Sequence, residues 1–239
     1  MAVRGQMPLD FQHRPSMAGH DFLIGPCNRE AVAWLDRWPD WPAPALVVFG
    51  PLGAGKTHLA HVFLERTEGV LVTSELLSRE DPIQIVALAP SLVIDDADSN
   101  GRGGIGEQHL LHLYNAASEA GKRLLITATH APKVWPFRLA DLASRLRAAP
   151  AAELSLPDDE MFRAVVTKLF SDRQIRIDPS VVSYLVPRME RSFAAAARLI
   201  EAIDREAMRQ HRDITLPLAR QVLETTQPFV AAGQESSRE

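Results

Sequence analysis

Up to Pro157 the apolar residues of this chain come mainly in short continuous blocks set between glycine-rich or helix-patterned stretches. The blocks are Ala45-Leu46-Val47-Val48-Phe49, Gly69-Val70-Leu71-Val72-Thr73, Ser91-Leu92-Val93-Ile94, Arg123-Leu124-Leu125-Ile126-Thr127-Ala128-Thr129 and Ala152-Glu153-Leu154-Ser155-Leu156. Runs this short, bounded by breakers, predict buried strands. Between them the spacing predicts helices. Asn28 caps one that runs to about Arg37, and His58 to Thr67 carries Leu59, Val62, Phe63 and Leu64 on a helical repeat. A helix-like stretch precedes the third strand, and Glu107 to Ala120 forms another helix. Leu139 to Arg147 is a short amphipathic element bearing Arg145 and Arg147, with Arg138 just before it.

Beyond Pro157 the pattern is helical throughout. Pro157-Asp158-Asp159 opens a helix running to about Arg173, Asp178-Pro179-Ser180 opens a second, Ser192 a long third and Thr215 a fourth. In the third, Phe193, Ala197, Ile200, Ile203 and Ala207 recur at helical spacing. The expected organisation is an extended tail over 1–17, an α/β domain over 18–157, a helical domain over 158–226 and a polar, disordered tail over 227–239.

Composition narrows the class. Of 239 residues, 46% are hydrophobic and 23% charged, which fits a soluble globular protein. A formal net charge of −4 argues against a general, electrostatically driven nucleic-acid binder, while leaving room for a local basic patch. Cys27 is the only cysteine, so no intramolecular disulfide or cysteine metal site forms, and its expected role is packing. Trp34, Trp38 and Trp41 are expected to pack the first helix against the core. His109 and His112 share a helix face near Glu107 but lack a third ligand at a defined spacing, which disfavours zinc. No apolar run approaches the roughly eighteen residues of a membrane span, and the N-terminus lacks the apolar core of a signal peptide. The chain is expected to be cytoplasmic.

The chemistry concentrates at Gly50-Pro51-Leu52-Gly53-Ala54-Gly55-Lys56-Thr57, which satisfies G-x-x-x-x-G-K-[ST] between a strand and a helix. The glycines let backbone N–H groups wrap an anion, and the helix that continues through His58 adds the positive end of its dipole. Lys56 would reach the β- and γ-phosphates, and Thr57 would ligate Mg²⁺. Asp95-Asp96 ends the third strand: Asp95 is placed to hold Mg²⁺, and Asp96 to orient or deprotonate an attacking water. The fourth strand ends in hydroxyls, and Thr129 or His130 is expected near the γ-phosphate. In the N-terminal tail, Gln6-Met7-Pro8-Leu9-Asp10-Phe11 displays Met7, Leu9 and Phe11. It is either a peptide for an apolar groove or a strap on its own domain.

In this order, from phosphate loop and acid pair to hydroxyl-ended strand, arginine-bearing helix and helical domain, the parts resemble AAA+ ATPases of the initiator clade, the DnaA family, over roughly residues 18–226. The resemblance implies an α/β fold: a P-loop NTPase with a parallel five-stranded sheet flanked by helices, followed by a small all-α lid. DnaA proteins add a helix-turn-helix DNA-binding domain of about a hundred residues. The sequence stops before one, which makes it most similar to the Hda branch, shortened relatives that inactivate DnaA after initiation.

The resemblance further implies roles. ADP or ATP with Mg²⁺ would bind at residues 50–58, with Phe22 and Leu23 in the adenine-proximal segment that reaches Asn28. Thr129 or His130 would occupy the sensor position. Arg145, within Ser144-Arg145-Leu146, matches the arginine finger that acts in trans, with Arg147 the weaker candidate. Gln6, Met7, Leu9 and Phe11 would bind the β sliding clamp of DNA polymerase III. The implied partners are the clamp and DnaA, with DNA reached only through the clamp, a possible homodimer and no membrane. One departure stands out: the arginine expected at the start of the third lid helix falls on Ala194, with Arg191 and Arg198 nearby on the same face. That puts self-hydrolysis in doubt more than binding. The alternative is a DNA-associated loader similar to helicase loaders, which predicts single-strand binding and its own stimulated turnover. A small-molecule P-loop kinase fits poorly, because the helical domain follows the sheet.

Overall fold

The computed structural model describes residues 23–98 and 105–226. The peptide from Gln6 to Phe11, Phe22, most of the glycine-rich loop after Asp98 and the tail from 227 lie outside the described residues. The chain divides into two compact units, with the break between Leu156 and Pro157.

The first unit is a parallel sheet flanked by helices. Its strands are β1 (Ala45–Phe49), β2 (Val70–Leu71), β3 (Ser91–Ile94), β4 (Arg123–Ala128) and β5 (Ala151–Glu153), in the order β2-β3-β4-β1-β5. Every pairing is parallel, with Val47 opposite Ile126 and Val93 opposite Leu125. Parallel strands need crossovers, and helices supply them on both faces. On one face Leu46, Val48, Val93 and Leu125 pack with Leu35 of α1 (Arg29–Asp36) and with Leu59 and Phe63 of α2 (Lys56–Thr67). On the other, Val47, Ile94, Leu124 and Ile126 pack with Ile85 of α4 (Pro82–Ala87), Leu113 of α5 (Glu107–Glu119) and Leu142 of α6 (Ala140–Ala148). Neighbouring residues of β1 therefore serve opposite cores, which is why its run is apolar without alternation.

The helix-like stretch before β3 is two short helices, α3 (Ser74–Arg79) and α4. Thr73 caps the first by accepting from Leu76 N–H at 3.1 Å, and Asp81 caps the second by accepting from Ile83 N–H at 2.8 Å ahead of Pro82. That cap also shortens β2: Val72 still donates to Val93 O at 2.7 Å, but Thr73 is already turned into the helix entrance. At the other edge β5 ends at Glu153, while Leu154 N–H still reaches Phe49 O at 2.7 Å. Trp41 stacks on Phe63, with ring centroids 5.7 Å apart, and Trp38 meets the same ring edge-on at 6.2 Å. Cys27 is buried.

The second unit is all-helical: α7 (Asp159–Asp172), α8 (Pro179–Leu185), α9 (Phe193–Gln210) and α10 (Leu216–Thr226). Asp158, Asp178 and Ser192 are the caps, accepting from Met161, Ser180 and Ala195 N–H at 2.7, 2.8 and 3.0 Å. Its core is built on Phe162, Phe170, Leu185, Ile200, Ile203 and Ala219. Among the described residues no helix is long and apolar enough to cross a membrane.

Candidate functional site

The phosphate loop runs from β1 into α2, so it leaves the sheet at a C-terminal edge and enters a helix N-terminus. Gly53 and Gly55 adopt φ values of 82° and 93°, in the left-handed region that glycine takes without a Cβ penalty. Gly50 is required for a different reason: a Cβ there would lie 2.1 Å from the Leu154 carbonyl oxygen, so the loop passes β5 at backbone distance. Pro51, Leu52, Thr57 and His58 are exposed around the loop, while Ala54 is buried beneath it.

Lys56 is only 7% exposed. Its Nζ donates to Gly50 O at 2.7 Å and Pro51 O at 3.0 Å, which folds the ammonium over its own loop. Burial pulls its pKa below the ordinary lysine value, against the raising effect of Asp96, Asp95 and Asp98. A buried ammonium over a glycine-rich loop at a helix N-terminus is suited to an anion rich in oxygen.

Thr57 Oγ1 donates to Asp95 Oδ2 at 2.8 Å, which brings the end of the loop to the end of β3. Asp95 also accepts a short hydrogen bond from Thr127 Oγ1, and Thr127 in turn accepts from Asp96 N–H at 2.8 Å. Asp96 takes a left-handed φ of 56°, uncommon outside glycine though aspartate is one of the residues that tolerates it, two residues past the end of β3. Thr127 is the hydroxyl that touches the acids, and the sequence pattern alone assigns it no role. Its signal was a lone hydroxyl inside the apolar run of β4, where a buried polar group must find a partner.

Thr129 and His130 lie just past β4, held by Asp98. Asp98 accepts from Thr129 N–H at 2.7 Å and His130 N–H at 2.8 Å, and pairs with His130 Nδ1 at 2.8 Å. Burial pushes the Asp98 carboxyl up, but these hydrogen bonds outweigh it and hold the pKa below the usual aspartate value. Trp135 Nε1 fixes the far side of the turn by donating to His130 O at 2.8 Å. Asp98 was not legible in the sequence, because an acid in a turn carries no spacing that betrays its partner.

The segment before α1 is tied down by its own hydrogen bonds. Asn28, 4% exposed, stands at the cap position of α1 but does not cap it with its side chain. Its Oδ1 accepts from Gly25 N–H and its Nδ2 donates to Leu23 O, both at 2.9 Å. Ser155 N–H donates to Cys27 O at 3.0 Å, which fastens this segment to the chain leaving β5. Leu23 is thereby positioned.

Arg145 is on α6, apart from these loops in sequence. Its Nε donates to Asp141 Oδ1 at 3.0 Å, and its guanidinium carbon sits 5.6 Å from the centroid of the Tyr114 ring. Arg147 lies over Phe137 at 5.8 Å. Glu107, at the start of α5, accepts from Arg138 and Leu139 N–H at 2.7 to 3.0 Å and so orders the entrance to α6. In the second unit Ala194 is exposed in the first turn of α9, and Arg191 is ion-paired with Asp159.

Comparison with known proteins agrees with this geometry. Residues 158–223 match the family model described as "Hda, lid domain". The chain is 26% identical to the chromosomal replication initiator protein DnaA of Thermomicrobium roseum over 231 residues, 87% of this chain and 50% of that protein. It spans about half the length, or less, of the curated relatives it matches. Domain III of Thermotoga maritima DnaA superposes with a TM-score of 0.70 at 20% identity, covering 85% of this chain and 94% of that one. AMPPCP-bound DnaA from Aquifex aeolicus does so with a TM-score of 0.63 at 15% identity, covering 78% and 64%. The fold is that of AAA+ ATPases, a parallel five-stranded sheet flanked by helices with a helical lid.

Proposed function

We propose that this chain is a DnaA-related AAA+ protein of the Hda kind that binds adenine nucleotide and promotes hydrolysis of the ATP held by DnaA, and so represses replication initiation. The observation that carries the reading is the match of residues 158–223 to the lid domain of Hda, on a chain whose phosphate loop and acid pair are joined through Thr57 and Asp95.

The site fits a magnesium nucleotide. Bound there, the nucleotide and Mg²⁺ would supply a charged phosphate chain that fixes the loop. Backbone N–H groups of Leu52, Gly53 and Gly55 and the N-terminus of α2 would receive that charge, and the buried Lys56 would turn from the loop carbonyls toward it. Thr57 and Asp95 would hold the metal, and Leu23 and Phe22 would border the base. Asp96 would orient a water, with Thr129 or His130 sensing the γ-phosphate. With Ala194 where the family's lid arginine is expected, this chain's own hydrolysis would be slow, and ADP suffices as its resident ligand.

Arg145 would be offered to a partner's site, where its guanidinium stabilises charge on the transferred phosphoryl group. Gln6, Met7, Leu9 and Phe11 would tether the chain to the sliding clamp, which raises the effective concentration of Arg145 near DnaA on the same DNA. This work would be cytoplasmic.

Binding measurements with purified components test the reading. The chain is expected to bind the clamp and, with clamp-loaded DNA, to engage ATP-loaded DnaA, while showing no affinity of its own for single-stranded DNA. Direct single-strand binding with DNA-stimulated self-hydrolysis would instead favour a loader.

A further inference from the structure

An arginine that acts on another protein's nucleotide has a physical difficulty. Its side chain is long and rotamer-rich, and ordering it in the transition state detracts from the stabilisation it gives. The surroundings of Arg145 address this. Asp141, one helical turn earlier on α6, takes the Nε hydrogen at 3.0 Å, and the Tyr114 ring of α5 lies under the guanidinium at 5.6 Å. The bond to Asp141 uses Nε and so leaves both terminal amino groups of the fork for a bidentate phosphate contact.

The platform is firm where the arginine is not. Tyr114 is 5% exposed and packs in the core against the sheet, whereas the Arg145 side chain is 37% exposed and Asp141 57%. Burial raises the Tyr114 pKa against the lowering effect of Arg145, and the electron-rich face of the ring lies beneath the cation. Arg147, over Phe137, has no carboxylate four residues before it, since that position is Ala143.

We propose that Asp141 and Tyr114 are positioning residues that hold the Arg145 guanidinium ready for a phosphate on a partner's nucleotide. This rests on the reading of Arg145 as a finger that acts in trans. Asp141 is a guide rather than a lock, because an exposed ion pair within one helix is weak enough for the arginine to keep its bond while the terminal nitrogens engage the partner.

The test is single-turnover hydrolysis of DnaA-bound ATP with clamp-loaded DNA, titrated with this chain to saturation. Asp141→Asn changes an exposed residue, so the chain stays folded. It is expected to lower the plateau rate about two- to fivefold, the range for an exposed pair, with the half-saturating concentration unchanged. Tyr114→Leu has a similar effect, and Tyr114→Phe, which keeps the ring face, recovers most of the loss. Arg145→Ala abolishes the stimulation. If Asp141→Asn and Tyr114→Leu match the native plateau while Arg145→Ala fails, the positioning role is overturned and the finger stands. A faster Asp141→Asn also overturns it, since Asp141 would then restrain the arginine. If Arg145→Ala is fully active, the finger reading falls and this inference with it.

Discussion

Thr57 Oγ1 donates a 2.8 Å hydrogen bond to Asp95 Oδ2, tying the first turn of α2 to the end of β3. The two groups come from opposite ends of a strand–helix crossover and meet because β1 and β3 flank β4 in one parallel sheet. In the proposed reading this hydroxyl and carboxylate would hold Mg²⁺ together with a phosphate. Thr57→Ala is therefore expected to weaken ADP binding about tenfold with Mg²⁺ present and much less in its absence. Titration calorimetry with and without Mg²⁺ separates the two, and an equal loss in both would remove Thr57 from the metal.

Gly50→Ala is a steric prediction. The added methyl would sit 2.1 Å from the Leu154 carbonyl oxygen, which is backbone and cannot rotate away. The expected cost is about 1–3 kcal/mol, with nucleotide affinity lost as β1 and β5 part at their ends. Urea unfolding reads the first and ADP titration the second; native stability in the variant would mean the loop can pass β5 more loosely than the structure shows.

Asp98 predicts a pH dependence. Its carboxyl is held below the ordinary aspartate value by three hydrogen bonds from Thr129 and His130, despite burial. A lowered folded pKa stabilises the fold fully above the unfolded value near pH 4, and that contribution fades as pH falls through the lower folded value. Asp98→Ala is expected to cost about 1–2 kcal/mol at neutral pH and to flatten stability between about pH 4 and the acid transition. Melting curves across pH would contradict this if the native and variant chains lost stability in parallel.

Much of this was legible in the sequence, and the reasons differ from place to place. The strand of Val47 and Val48 was visible because both of its faces are buried, and the helices of the second unit because Asp158, Asp178 and Ser192 stand where caps belong. The phosphate loop was legible because its chemistry fixes residue type and spacing together. Asn28 marked the helix start but not its own bonding, since a buried amide inside a turn satisfies Gly25 and Leu23 before it can cap. Asp98 escaped because its meaning lies in partners across the sheet, which no local pattern encodes, and Thr127 because its one signal, a lone hydroxyl in an apolar run, does not name those partners.

The N-terminal peptide yields a prediction that separates tether from site. On the proposed function, the Leu9→Ala, Phe11→Ala double variant is expected to lose clamp binding while its affinity for ADP is unchanged, because the proposed nucleotide cradle lies at residues 50–58. Surface plasmon resonance on immobilised clamp, with ADP titration as the companion, checks both. Intact clamp binding in the variant would assign the contact elsewhere on the chain.

The most direct measurement is single-turnover hydrolysis of ATP bound to the cognate DnaA, with clamp-loaded DNA, comparing the native chain, Arg145→Ala and the Leu9→Ala, Phe11→Ala double variant. The account predicts that the native chain speeds conversion of DnaA to its ADP form and that both variants, while folded, do not. No acceleration by the native chain would contradict it, and the chain would then have to be sought among loaders acting on DNA directly.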